Sequence, residues 1–200
     1  MKELLIGTSN PSKYAAMVRQ LQGAEVTPVS PAELGVRIDT AEDARTAEGN
    51  ARQKALAWFR ASGMPVLTED SGLVLLDLPL DHPDQPGVWV RRAPGYEMTD
   101  EEMVAWYTAL AHRHGGRLRA AWQDAWCLMT GESTFVIYAD RVDELQPWGF
   151  WLMDHVIHNE VQPGWPLERI IIRSETSAAS RVLGHERLRG WLKENVDSLL

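Results

Sequence analysis

Short apolar runs alternate with segments of helical spacing up to Leu76, and this alternation constrains the fold more than any other feature. The first run, Leu4-Leu5-Ile6, has the character of a buried strand. A loop follows it, and a helix is predicted to begin with Ser12 as its N-cap and to end at Gly23. Alternation of strands with helices is typical of mixed α/β proteins.

The same periodicities, together with turn residues, predict the remaining elements. These are a strand at 25–29, a loop at 30–45, a helix at 46–61, strands at 65–68 and 73–76, a loop at 79–97, a helix at 99–114, β-rich stretches at 118–129 and 134–142, a strand at 167–172 and a helix at 181–200. We therefore predict an α/β fold in which a mixed, elongated β-sheet carries flanking helices, with two lobes around a central cleft. One domain is expected over residues 1–200.

Composition and charge exclude several classes of protein. The chain is 44% hydrophobic and 24% charged, which is typical of globular proteins rather than disordered ones. Its net charge of -8 comes without a polybasic run, so we expect no nucleic-acid partner. No apolar stretch is long enough to span a membrane, the first apolar run is too short for a signal peptide, and a lone Cys127 suits a reducing compartment. We therefore predict a cytoplasmic protein without a membrane partner.

The first chemically informative segment is Thr8-Ser9-Asn10-Pro11-Ser12-Lys13. It lies between a predicted strand and a predicted helix, where free backbone N–H groups and the positive end of a helix favour an anion. Lys13 adds a full positive charge. The segment is consistent with a phosphate-binding loop or with an ordinary capped turn.

Four polar residues spaced by four, Glu42, Thr46, Asn50 and Lys54, form the second motif. Residues four apart lie on one face of a helix, so Thr46, Asn50 and Lys54 form a polar stripe that Glu42 just precedes. The opposite face is mostly alanine. This polar stripe is either a functional surface or a solvated helix face.

The third motif, Glu69-Asp70-Ser71-Gly72, follows an apolar strand. Adjacent carboxylates supply the oxygen ligands that Mg²⁺ prefers, and one of them can act as a base toward water. An acidic turn that ends a strand is the alternative interpretation. Only the combination of these carboxylates with two lysines and an anion-binding loop predicts triphosphate hydrolysis.

The order and spacing of these residues resemble those of the inosine triphosphate pyrophosphatase family, which acts on non-canonical purine nucleoside triphosphates. The resemblance covers roughly residues 4–92. The matching motifs are Thr8-x-Asn10-x-x-Lys13, Glu42-x-x-x-Thr46-x-x-x-Asn50-Ala51-x-x-Lys54-Ala55, Glu69-Asp70-Ser71-Gly72-Leu73, and Pro86-Gly87-Val88 with Arg92.

The resemblance implies a cytoplasmic, Mg²⁺-dependent homodimer that hydrolyses a triphosphate such as ITP, dITP or XTP to the monophosphate and pyrophosphate, and so sanitises the nucleotide pool. It also assigns roles to individual positions. The implied catalytic residues are Asp70, Glu42 and Lys54; the metal ligands are Glu42, Glu69 and Asp70; the substrate contacts are Thr8, Ser9, Asn10, Lys13, Asn50 and Ser71. Glu69 stands where the family usually has aspartate, so this side chain is one methylene longer.

The segment that should bind the base departs from the family pattern. The family's Gly-Phe-Gly-Tyr-Asp-Pro is replaced by Gly149-Phe150-Trp151-Leu152-Met153-Asp154, and its Ser-His-Arg signature is reduced to Ser180-Arg181. Phe150, Asp154 and Arg181 are the remaining candidates for contacts with the nucleoside. Two alternatives therefore stay open: the same chemistry on a different modified nucleotide, and a nucleotide-binding homologue that has lost turnover.

Overall fold

Helices and strands alternate along the first part of the chain as expected. In the computed structural model, which describes residues 2–161 and 163–199, the strands are β1 (Lys2–Ile6), β2 (Val26–Val29), β3 (Val66–Leu75), β4 (Arg117–Gly131), β5 (Thr134–Ala139), β6 (Phe150–Met153) and β7 (Ile171–Ile172). The helices are α1 (Pro11–Gln20), α2 (Pro31–Leu34), α3 (Ala47–Ser62), α4 (Asp100–Arg113) and α5 (Glu175–Leu199). Parallel and antiparallel strand pairs with accompanying helices confirm the predicted mixed α/β fold.

Contacts divide the described residues into two compact units. The first contains residues 2–71, 124–140 and 183–199, and the second contains residues 72–123 and 141–182. Both β3 and β4 therefore contribute residues to each unit. The single domain, the elongated shape of the sheet and the cleft between lobes stay predictions from the sequence.

The first unit is built on the parallel strands β2, β1 and β3, with β1 between the other two. Leu4, Leu5 and Ile6 of β1 are completely buried, because the central strand of a parallel sheet is covered on both faces. Met17 of α1 and Leu192 of α5 pack into the same core. The antiparallel hairpin of β4 and β5 completes the strands of this unit.

The second unit pairs the beginning of β4 with β6, and β6 with β7, all antiparallel. Its core is formed by α4, which contributes Tyr107 and Leu110, and by the sheet residues Phe150 and Leu152. A capping box of Thr99 and Glu102 begins α4. Among residues 2–161 and 163–199, no helix combines the length and the apolar character that a membrane span needs.

One predicted turn is wrong. The strands expected at 65–68 and 73–76 are a single strand, β3, so Glu69, Asp70, Ser71 and Gly72 lie within a strand. Charged residues inside a partly buried strand are unfavourable unless partners satisfy them. Those partners come from α1 and α3, which are distant in sequence.

Several predicted boundaries also need correction. The N-cap of α1 is Asn10 rather than Ser12, and the loop predicted at 30–45 contains α2, whose N-cap Ser30 forms a capping box with Glu33. The strand predicted at 167–172 is mostly a 3-10 helix at Pro166–Ile170, and the last helix begins at Glu175, earlier than expected. These elements are short or begin at local caps, which hydrophobic periodicity does not reveal.

Gly7 is the position where added bulk should cost most stability. A Cβ there would lie 2.7 Å from both Thr68 Cγ2 and Trp58 Cδ1. Gly7→Ala should therefore lower the free energy of unfolding by about 1–3 kcal/mol through overpacking, measured by urea denaturation.

Gly190 in α5 is the matched control, because a Cβ at that position would meet nothing within 4 Å. Gly190→Ala should raise the free energy of unfolding by about 0.5–1 kcal/mol, the difference in helix propensity between the two residues. Equal effects of the two substitutions would contradict the close packing at Gly7.

Candidate active site

The loop after β1 is held by its own side chains. Asn10 Oδ1 accepts hydrogen bonds from the backbone N–H groups of Ser12, at 2.9 Å, and Lys13, at 3.2 Å. Thr8 Oγ1 accepts from the backbone N–H of Asn10 at 3.2 Å, and Ser9 is exposed. The loop thus begins α1 and fixes Lys13 on the first turn of that helix.

Lys13 reaches across to the acidic segment of β3. Its Nζ lies 2.9 Å from Glu69 Oε2, and the hydroxyl of Ser71 donates to the other oxygen of Glu69. Burial alone would lower the pKa of Lys13, but the carboxylate of Glu69 outweighs it and raises that pKa above its usual value. Burial likewise opposes ionisation of Glu69, yet Lys13 and Ser71 hold its pKa below the usual range.

Lys54 joins the other two predicted carboxylates. Its Nζ lies 2.6 Å from Asp70 Oδ1 and 3.1 Å from Glu42 Oε1, and only 12% of its side chain is exposed. The polar stripe of α3 therefore faces carboxylates at Lys54 rather than solvent. Burial raises the pKa of Asp70 despite the opposing influence of Lys54.

Asn50 ties the strand to the loop that carries Glu42. Its amide nitrogen donates to Asp70 Oδ2 at 3.1 Å, and its amide oxygen accepts from the backbone N–H of Ala44 at 3.0 Å. The residue is only 1% exposed. Both polar atoms of this predicted substrate contact are thus used within the protein, where they hold Asp70 and the Glu42 loop together.

Sequence reasoning missed Asp124, an acidic residue beside Glu69, and its neighbour Asp140. The backbone N–H of Asp124, in β4, donates to Asp140 Oδ2 at 3.1 Å, and the backbone N–H of Asp140 donates to the Asp124 carbonyl. Burial, then the nearby carboxylates of Glu69 and Asp140, raise the pKa of Asp124 to about 7. The available signal was a lone carboxylate within the otherwise largely apolar stretch 120–129.

Negative charge exceeds positive charge in this acidic cluster. Its carboxylates and ammonium groups are those of Glu42, Glu69, Asp70, Asp124, Asp140, Lys13 and Lys54. Oxygen donors suit Mg²⁺, which is usually bound by one or two carboxylates together with water and substrate phosphates. Within the described ranges, no three His, Cys, Asp or Glu side chains could hold a metal ion on their own. Glu42 and Asp70 already share one cation, Lys54, and therefore fit such a partial site.

The remaining predicted substrate residues belong to the second unit. Phe150 is 3% exposed in the hydrophobic core of that unit, and the Arg173 guanidinium lies 5.5 Å from its ring centroid. Asp154 contacts His155 at 2.8 Å and His112 at 3.2 Å, and Arg181 lies exposed on α5. Phe150 is therefore packed as a core residue, while Asp154 and Arg181 are accessible.

Comparison with known sequences gives a family match. The model of the Ham1 family matches residues 4–143. The dITP/XTP pyrophosphatase of Anaeromyxobacter dehalogenans is 40% identical over 72 residues, which are 36% of this chain and 31% of that protein. The dITP/XTP pyrophosphatase of Bacillus subtilis is 34% identical over 104 residues, 52% of this chain and 50% of that protein. The matched stretches thus span half or less of these relatives.

Solved structures share the fold over almost the whole chain. A HAM1 protein from Coxiella burnetii superimposes with a TM-score of 0.67 at 22% identity, over 97% of this chain and 100% of that chain. The Staphylococcus aureus Ham1 protein gives a TM-score of 0.68 at 19% identity, with the same coverage. At these identities the likeness establishes the fold alone.

Removal of the Asn50 amide should destabilise the protein. Asn50→Ala leaves the Ala44 N–H and one oxygen of Asp70 without this partner, so the free energy of unfolding should fall by about 2 kcal/mol. Gln53→Ala, which removes an exposed bond to Asp43, should change it by less than about 0.5 kcal/mol. Similar losses of unfolding free energy for the two variants in urea denaturation would contradict the role of Asn50 in linking Asp70 to the loop that carries Glu42.

The raised pKa of Asp124 predicts a pH-dependent stability. The folded-state pKa of Asp124 is about 7, above its ordinary value of 3.8. The contribution of this residue to the free energy of unfolding is therefore fully present below the ordinary pKa and is lost as the pH rises through about 7. Between pH 5 and pH 8 the wild type should lose about 2 kcal/mol more stability than Asp124→Asn.

Urea denaturation of both proteins across this pH range provides the measurement. Asp39→Asn, at an exposed aspartate, is the control and should follow the wild-type profile. Parallel profiles of the wild type and Asp124→Asn would show that Asp124 titrates normally.

Proposed function

We propose, since the chain belongs to the Ham1 family, that it is a nucleoside triphosphate pyrophosphatase acting on non-canonical purine nucleotides such as ITP, dITP or XTP. One observation carries the proposal. Two lysines from separate helices, Lys13 and Lys54, meet the carboxylates of Glu42, Glu69 and Asp70 within a single unit. The names of the curated relatives, dITP/XTP pyrophosphatases, support the substrate class.

The triphosphate is bound by the lysines and by the beginning of α1. Lys13 and Lys54 supply two ammonium groups, and the N-terminal turn of α1 supplies backbone dipoles that favour phosphate oxygens. Thr8 and Ser9 lie in the loop that leads into this turn. Asn10 contributes by fixing the loop, since its side-chain oxygen caps the helix.

Glu42 and Asp70 are the residues proposed to hold Mg²⁺ together with phosphate oxygens. When bound, the ion would neutralise negative charge on the triphosphate and polarise its phosphate oxygens. The family resemblance implies Glu69 as a third ligand. Both of its oxygens are engaged by Lys13 and Ser71, so a metal at Glu69 would have to replace one of these contacts, and the metal site proposed for this chain rests on Glu42 and Asp70.

Asp70 is the proposed general base. Burial raises its pKa, which strengthens it as a proton acceptor, while Lys54 and Asn50 each hold one of its oxygens. Asp70 takes a proton from the attacking water. At the same time the water oxygen bonds to the α-phosphorus, and the bond from the α-phosphorus to the oxygen that bridges to the β-phosphorus breaks. Pyrophosphate leaves, and positioning and charge stabilisation supply most of the acceleration.

A different modified nucleotide as substrate is the second candidate, and the state of Phe150 favours it. The ring is buried in the core and lies beneath Arg173, which Glu168 holds through two hydrogen bonds of 2.6 Å. Stacking of a base on this ring would require Arg173 to move.

The homodimer and the cytoplasmic location that the family resemblance implies are also parts of the proposed function.

Pyrophosphate release from a panel of nucleotides tests the function. The panel contains ITP, dITP, XTP, dATP and dGTP, each with Mg²⁺ and with EDTA. Preference for the first three, lost in EDTA, supports the proposal, whereas equal rates favour the second candidate. Absence of turnover on all five nucleotides would overturn the proposed substrate class and leave the second candidate and a nucleotide-binding role.

Substitution of the base should separate chemistry from binding. Asp70→Asn should lower kcat at least about 100-fold, because the proton acceptor is lost, while the Kd for dITP changes less than about threefold. Asp43→Asn, which removes an exposed acid bonded to Gln53, should leave kcat unchanged. Near-normal kcat in Asp70→Asn would remove Asp70 from its proposed role.

A further inference from the structure

The ion pair between Lys13 and Glu69 is placed where it competes with a bound phosphate. Lys13 Nζ lies 2.9 Å from Glu69 Oε2, with 27% of the Lys13 side chain exposed and 9% of the Glu69 side chain. Glu69 is therefore buried, and the Lys13 side chain is the more exposed partner of the pair.

Lys13 cannot give its full charge to two anions at once. The ammonium has three donors, but an ion pair with Glu69 offsets the charge that would attract a phosphate. A triphosphate therefore has to draw Lys13 away from Glu69 or bind to a partly neutralised cation. Asp124 is an electrostatic neighbour of both Glu69 and Lys13.

Glu69 itself is held in this position by a second contact. Ser71 donates to its other oxygen, and this contact constrains the orientation of the carboxylate independently of the bond to Lys13. Aspartate at this position would withdraw the carboxylate by about one carbon–carbon bond, about 1.5 Å. The 2.9 Å contact thus depends on the longer side chain of this protein.

We propose that Glu69 is a positioning residue that holds the Lys13 ammonium as a stand-in for phosphate and yields it when the triphosphate binds. This inference rests on the proposed function of the same site. Its consequence is a reduced affinity for the triphosphate group, set by the strength of the pair. Glu69 acts on substrate through Lys13, not through contact with the substrate.

The test is the affinity for inorganic tripolyphosphate, measured by calorimetry at saturating Mg²⁺. Glu69→Gln keeps the length of the side chain and an acceptor for Ser71 but removes the charge. Its Kd should be about fivefold lower than that of the wild type, the equivalent of an ion pair worth about 1 kcal/mol. Glu25→Gln, at an exposed acid of the same unit, should leave the Kd unchanged.

A second background shows whether Glu69 acts through Lys13. In Lys13→Ala, the further change Glu69→Gln should alter the Kd by less than twofold, because the group it restrained is gone. An equal gain in both backgrounds would reflect only the removal of a nearby negative charge and would overturn the proposal. A weaker Kd in Glu69→Gln would overturn it too, since that is the result expected of a metal ligand.

Two further measurements keep the outcome interpretable. Thermal unfolding checks that Glu69→Gln is folded; if it is not, Glu69→Asp, which keeps the charge but shortens the reach, should lower the Kd at least twofold. Pyrophosphate release by the wild type is assayed in parallel. Release without any change of Kd in the Glu69 variants overturns this inference alone, and a lower Kd without release overturns the proposed function alone.

Discussion

Carboxylates in the middle of β3 depend on lysines from two helices, and the rest of the site depends on this pairing. Glu69 and Asp70 lie inside a strand that is otherwise largely buried. Unpaired charges there would be costly, whereas Lys13 and Lys54 satisfy them at 2.9 and 2.6 Å. The strand therefore needs α1 and α3 in place, and the two helices deliver their lysines because they pack beside it. The acidic cluster is thus complete only when both helices are packed beside β3.

The alternation of strands and helices in the first part of the chain is predictable because each element has its own local signal. Apolar runs mark β1 and β2, and alanines at helical spacing mark α3. The prediction for segment 69–72 fails because its composition is typical of a turn, whereas its strand conformation depends on partners from other elements, Lys13 and Lys54. The strand expected at 167–172 fails for a related reason: Pro166 begins a 3-10 helix, and only two residues remain for β7.

Four site residues, Glu42, Asp70, Lys13 and Lys54, were predicted to meet, and the structure brings them together. Helical spacing indicated Lys54, the strand–helix junction indicated Lys13, and the adjacent carboxylates indicated Asp70. Glu42 lies in the loop before α3. Asp124 and Asp140 were not predicted, because the hairpin that pairs them with each other and brings Asp124 near Glu69 is a long-range arrangement without a sequence motif. The burial of Phe150 could not be predicted from the sequence either, since only the packing of the second unit shows that its ring lies within a core.

The backbone at Gly7 lies directly against interior side chains. Trp58 and Thr68 occupy the space that any side chain at this position would need, and the Gly7 N–H bonds to the Leu67 carbonyl. A change in the shape of Trp58 is therefore transmitted to the loop that begins α1 without an intermediary. The buried side chains of Trp58 and Thr68 therefore help to fix the conformation of the loop at 8–13, and the room for substitution at these two interior positions is set by that loop as well as by the core.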